Sequence, residues 1–167
     1  MAVLPGVREE KMRILTILAW LVLLPAPILA AGDGHHHEGD EHMAGMMAVK
    51  DTIPEEYRIM DRTPVTPTSA SLKRGAELFR TNCTVCHGEK GRGDGPAAAG
   101  MKNKPANFHD QAHSRIYSPG EKYWIIGHGT KQTGMPAFGE RLAPLQRWDL
   151  VNFIVQLPKE GTDDLFN

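Results

Sequence analysis

The sequence predicts an all-α protein. Three stretches carry apolar residues at helical spacing, long Gly- and Pro-rich loops separate them, and no run alternates as a strand would. The first helix begins near Ser69, where Leu72, Ala76 and Phe79 recur on one face and Ser69 or Ser71 is the expected N-cap. The second is announced by Ser118, Pro119 and Glu121, a capping box with proline at the first helical position; it runs through Trp124, Ile125 and Ile126 and stops at Gly127 or Gly129. The third covers about Pro144 to Leu157, with Trp148, Val151, Phe153, Ile154 and Val155 forming a broad apolar face, and Pro158 ends it. From Gly88 to Gly100, five glycines and a proline predict a wrapped loop.

The 167 residues divide unevenly. Residues 14–31 read ILTILAWLVLLPAPILAA behind Lys11 and Arg13, which is the charge, apolar run and small-residue order of a signal peptide. Pro25 and Pro27 near the end of the run favour cleavage after Ala30 or Ala31; an uncleaved anchor through residues 14–31 is the alternative. Met12 is a second candidate start, because Glu9 and Glu10 are out of place ahead of such a run. Either route exports the remainder, and a periplasmic location is expected. Residues 32–68 have few large apolar residues and no sustained period, so they read as a His/Met-rich, Pro-containing flexible linker. Residues 69–159 are left as the folded domain and 160–167 as a tail. A core of about 90 residues is small enough to need a metal, cofactor or disulfide.

The only cysteines, Cys83 and Cys86, cannot close an ordinary disulfide loop, and a free pair is a liability in an oxidising compartment unless it is occupied. They stand in Cys83-Thr84-Val85-Cys86-His87, the pattern of covalent haem attachment. Two thiols at i and i+3 share one turn and reach the two vinyl groups of one haem edge, and the following imidazole points at the iron. A zinc site would need a second ligand pair, and none follows. A redox CxxC would follow a strand, whereas the upstream segment here is helical. With a single CxxCH, one haem is expected, which excludes a di-haem peroxidase. For the second axial position, Met135 in Gly134-Met135-Pro136 lies 48 residues beyond His87, and Met101, His109, His113 and His128 compete with it.

With both motifs in view, residues 70 to 158 resemble class I cytochrome c of mitochondria and bacteria. The resemblance rests on Gly75 and Phe79, eight and four positions before Cys83, and on Leu150 and Phe153 of the last helix. It implies a fold in which the first and last helices cross closely at Gly75 around one covalent haem c. It also implies that Met135 is the second axial ligand beside His87, and that the carbonyl of Pro96 accepts the other N–H of His87 and fixes its tautomer. Phe108 and Phe138 are further expected cofactor contacts. The loop CHGEKGRGDGPAAAG is similar to that of bacterial monohaem cytochromes that serve respiratory oxidases, denitrification enzymes and copper proteins. The expected role is single-electron transfer between redox protein partners, not catalysis, with no nucleic acid involved.

Charge is unevenly spread. Residues 32–79 hold five basic against nine acidic side chains, residues 80–135 eight against four, and residues 136–167 three against five. Lys90, Arg92, Lys102, Lys104 and Lys131 are therefore expected to ring an exposed haem edge and steer partners with acidic docking surfaces. His35, His36, His37, His42 and Met43, followed by Met46 and Met47, form a compact set of borderline and soft ligands that could hold copper. Two other readings follow: a haem-linked copper-handling protein working through that tract, and a gas sensor with a labile sixth ligand.

Overall fold

The computed structural model describes residues 37–157, with side chains from residue 43 onward except those of Ala112 and His113. The expected signal peptide and the 160–167 tail lie outside these residues. In chain order the helices are α1 (His37–Asp51), α2 (Glu55–Arg58), α3 (Ser69–Asn82), α4 (Thr84–His87), a 3-10 turn at Pro96–Gly100, α5 (Gln111–Ser114), α6 (Pro119–His128) and α7 (Pro144–Ile154). Among the described residues there is no strand, only an isolated antiparallel bridge between Thr130 and Met135.

The crossing of α3 and α7 is the frame. A Cβ on Gly75 would stand 2.7 Å from Cβ of Phe153 and overlap the Asp149 carbonyl, so only glycine lets the two backbones meet. Phe79 and Phe153, both essentially inaccessible, lock the crossing with ring centroids 5.4 Å apart. The N-cap of α3 is Thr68, not Ser69 or Ser71: the Thr68 hydroxyl accepts from the Ser71 amide at 3.2 Å. Ser71 is turned inward instead, donating to Asp149 Oδ1 at 2.6 Å, while Arg74 reaches the same carboxylate at 2.7 and 3.0 Å. Asn152 completes this buried polar seam by donating to Ser71 and to the Val65 carbonyl.

Helix α6 has the predicted capping box: the Glu121 amide donates to Ser118 Oγ, and the Ser118 amide to Glu121 Oε2 at 2.6 Å. It ends at His128 with Gly129 at φ 68°. Helix α7 stops at Ile154, one turn before the expected Leu157, yet Leu157 remains fully buried beyond it.

The expected linker is where the structure differs most. Residues 37–51 form a helix and 55–58 a short turn of helix. Met46, Val49 and Ile53, spaced by three and four, are buried. An isolated helix of this length is marginal in water, and this one contains Gly45. Docking supplies what local propensity lacks. The Tyr117 hydroxyl donates to the Met46 carbonyl at 2.8 Å, and Lys50 donates to the Ile116 carbonyl at 2.6 Å and pairs with Glu121 at 3.0 Å.

Candidate haem-attachment site

Cys83 is at once the C-cap of α3 and the N-cap of α4, so the attachment motif is one tight turn hung from the end of the crossing helix. The Cys83 amide donates to the Phe79 carbonyl at 2.8 Å, and the Cys83 carbonyl accepts from Cys86 and His87 at 3.2 and 2.8 Å. Both thiols are free and half-buried. Burial, with a smaller contribution from Cys86, pushes the Cys83 thiol up to about 12 against the pull of the Arg141 cation.

The glycines predicted as a loop wrap back over the turn. Gly93 donates to the His87 carbonyl at 2.8 Å and Gly95 to the Cys86 carbonyl at 3.1 Å. A Cβ on Gly95 would come within 2.6 Å of the Val85 carbonyl, so this close approach requires glycine.

His87 Nδ1 lies 3.1 Å from the Ala106 carbonyl. A carbonyl only accepts, so the proton sits on Nδ1 and the Nε2 lone pair is free. Burial lowers the His87 pKa against that hydrogen bond, which keeps the ring neutral. The orienting carbonyl is therefore that of Ala106 and not that of Pro96, the residue that opens the 3-10 turn and is itself exposed. Ala106 could not be found from its side chain, because the acting group is its backbone carbonyl. Phe108 stacks on His87 with centroids 4.7 Å apart and meets Phe79 edge-on at 6.0 Å.

Met135 sits on a separate loop, half-buried against the core. Its carbonyl accepts from the Thr130 amide at 2.9 Å, the Thr130 and Thr133 hydroxyls bond each other, and Gly134 takes φ 78°. Phe138 is buried beneath this loop, and its amide donates to the Ile126 carbonyl at 2.9 Å. Arg141, which no motif marks, lies 4.9 Å over the Phe138 ring and donates to Asn82 at 3.3 Å, next to Cys83. Of the competing side chains, His109 hydrogen-bonds the Lys90 carbonyl at 2.7 Å, and His128 bonds the Trp124 carbonyl and stacks on that indole. Met101 is half-buried, and the His113 side chain lies outside the described residues.

The donor set fits a covalent haem: two unpaired thiols on one turn, a neutral imidazole with a free Nε2, and a thioether on a second loop. A recess of about 720 Å³ near the start of α6, with Arg115, Tyr117, Lys122 and Ile154 in its wall, is lined by none of these four residues. Lys90, Arg92, Lys102, Lys104 and Lys131 are all exposed, and Lys104 also donates to the Ala98 carbonyl at 2.8 Å. The copper tract finds no support. His35 and His36 lie outside the described residues, as do the side chains of His37 and His42, and Met43 is exposed. Among the described residues no group of three or more His, Cys, Asp or Glu is placed to hold a metal ion. Among the same residues no helix is long and apolar enough to cross a membrane.

The cytochrome c family model matches residues 72–158. The chain is 31% identical over 121 residues to the cbb3-type cytochrome c oxidase subunit FixP of Azorhizobium caulinodans, covering 70% of this chain and 38% of that one. It is 30% identical over 95 residues to the FixP subunit of Sinorhizobium medicae, covering 52% of this chain and 30% of that one. The chain thus spans well under half the length of these relatives. The A. caulinodans match is longer than the stretch from residue 72 to the C-terminus, so it runs back into the segment that precedes α3. Among solved structures, the reducing HAO-like protein complex of Kuenenia stuttgartiensis superposes with a TM-score of 0.51 at 29% identity, over 57% of this chain and 47% of that chain. Crossed terminal helices, an attachment turn hung from the first of them and a family match that spans both together show that the chain belongs to the cytochrome c family, a c-type cytochrome that binds haem and carries electrons.

Proposed function

We propose that the protein is an exported, periplasmic carrier of single electrons, holding one haem c through Cys83 and Cys86 with His87 and Met135 as axial ligands. The observation that carries this reading is the Nδ1–H of His87 donated to the Ala106 carbonyl, which aims a neutral Nε2 away from the backbone. Haem iron supplies a reversible one-electron couple, and a thioether ligand raises its potential. The chain's own residues do the rest. Cys83 and Cys86 would hold the haem covalently through thioethers. Ala106 holds the His87 ring in one tautomer and orientation, and Phe108, stacked on it, limits its rotation. Phe138 and the backbone bonds to α6 fix the loop that presents Met135. Held by both His87 and Met135, the iron would exchange electrons by outer-sphere transfer without binding a substrate.

The oxidised holoprotein is expected to show the weak far-red absorption of methionine-ligated haem, and Met135→Ala to abolish it while leaving the covalent haem in place. A wild-type spectrum without that band, or rapid carbon monoxide binding to the reduced wild type, would replace the carrier by a gas sensor. The similarity to oxidase subunits supports a terminal oxidase, or a protein feeding one, as partner. Exposed Lys90, Arg92, Lys102 and Lys131 would steer acidic surfaces, so the rate of electron transfer should fall as salt rises.

A further inference from the structure

The segment before the family domain, α1, α2 and the turns joining them to α3, is a strap laid on α6. It holds the first turn of that helix by several independent contacts. Lys50 pairs with Glu121, whose side chain is fully buried. The Gly120 amide donates to the Met60 carbonyl at 3.2 Å, and Ser118 Oγ to the Tyr57 carbonyl at 3.3 Å. The Tyr57 ring stacks on Tyr123 at 6.1 Å. Gly120 is needed for this fit, since a Cβ there would stand 2.5 Å from Cβ of Met60 and overlap the Tyr57 carbonyl.

The other end of the same ten-residue helix carries the Met135 loop. Ile126 and Gly127 accept from the Phe138 and Gly139 amides, each at 2.9 Å, and the loop is closed on itself by Thr130 donating to the Met135 carbonyl. Helix α6 is therefore a short beam, clamped by the strap at its first turn and by the ligand loop at its last. Glycine is required at the loop end as well: Gly129 sits at φ 68°, and a Cβ there would stand 2.4 Å from the Met135 carbonyl oxygen.

We propose that the strap is a positioning element for Met135: by fixing the start of α6 it braces the loop that holds the sixth ligand. Lys50 and Gly120 are the positioning residues. The proposal rests on the reading of Met135 as an axial ligand, and the experiment separates the two. Gly120→Ala keeps or improves the helix while driving the strap off it, and Lys50→Met removes the charge paired with Glu121 without touching the loop.

Amide hydrogen exchange is followed in the holoprotein, together with the affinity of the oxidised form for added imidazole, which competes with methionine for iron. In both variants the Thr130, Phe138 and Gly139 amides should exchange about tenfold faster, and imidazole should bind about tenfold more tightly. The Cys83 amide, bonded to Phe79 in the α3–α7 frame, should keep its wild-type rate. Unchanged exchange in the loop overturns the bracing, as does an equal acceleration of the Cys83 amide, which would mean general loosening. Faster loop exchange with unchanged imidazole affinity upholds the bracing and removes Met135 as the ligand.

Discussion

Gly75 and Asp149 carry the α3–α7 crossing between them, one by having no side chain and the other by having a buried, fully engaged one. Gly75→Val would drive a branched side chain into the Asp149 carbonyl, a backbone atom that cannot step aside. A loss of about 3 kcal/mol in denaturant unfolding of the holoprotein is expected. For Asp149, burial raises the carboxyl pKa, but hydrogen bonds from Arg74 and Ser71 and the Arg74 charge outweigh it and hold it below the ordinary carboxylate range. A depressed folded value means that the unfolded state binds the proton more readily. The stabilisation is then complete above the unfolded carboxyl value and is lost as pH falls through the folded one. Asp149→Asn should cost about 1–3 kcal/mol at neutral pH. Its deficit against wild type should shrink as pH is lowered below about 4, read from urea midpoints across that range.

At the scale of elements, α6 is loaded with buried polar chemistry at its first turn. Lys122 donates to the Ser114 and Tyr117 carbonyls. Burial brings its pKa down to about 8, with Lys50 adding to the effect and Glu121 opposing it. Since the unfolded ammonium titrates near 10.4, the unfolded state binds more protons in the interval between, and Lys122 makes stability rise with pH from about 8 to about 10. Lys122→Met should flatten that rise. If variant and wild type kept a constant stability difference across the interval, the amine would not be desolvated as described. The strap that covers this turn explains why α1 exists at all: its sequence is a weak helix former, and the helix is tied down by the Tyr117 hydroxyl on the Met46 carbonyl and by Lys50 on the Ile116 carbonyl and Glu121.

For the whole molecule, the buried aromatics Phe79, Phe153, Trp148, Tyr123 and Phe138 make a modest core for the described residues. Cys83→Ser/Cys86→Ser, which prevents attachment, should therefore give a protein of much lower helicity by circular dichroism and a lower unfolding midpoint. A variant that kept wild-type helicity and midpoint would show that the polypeptide core suffices without the covalent haem.

Sequence alone determined the parts whose information is local. The turn at Cys83, Cys86 and His87 and the Ser118–Glu121 capping box are written in short spacings, the pairing of Gly75 and Phe79 with Phe153 followed from the family resemblance, and the fold class from three helical periodicities set between Gly- and Pro-rich loops. For the cap of α3, the expectation of Ser69 or Ser71 missed Thr68, and local spacing could not correct it, because Ser71 is drawn inward by Asp149 from 78 residues away. The partner of His87 was misplaced to Pro96 for a related reason. Any carbonyl can accept that hydrogen, and only the path of the loop brought Ala106 to it. Residues 32–68 read as a linker because their apolar content is too thin to fold by itself. Tertiary structure alone decided that residues 37–60 become a strap, since the groups that tie them down, Ile116, Tyr117, Glu121 and Tyr123, lie on α6 and the turn before it, which no local pattern in that segment encodes.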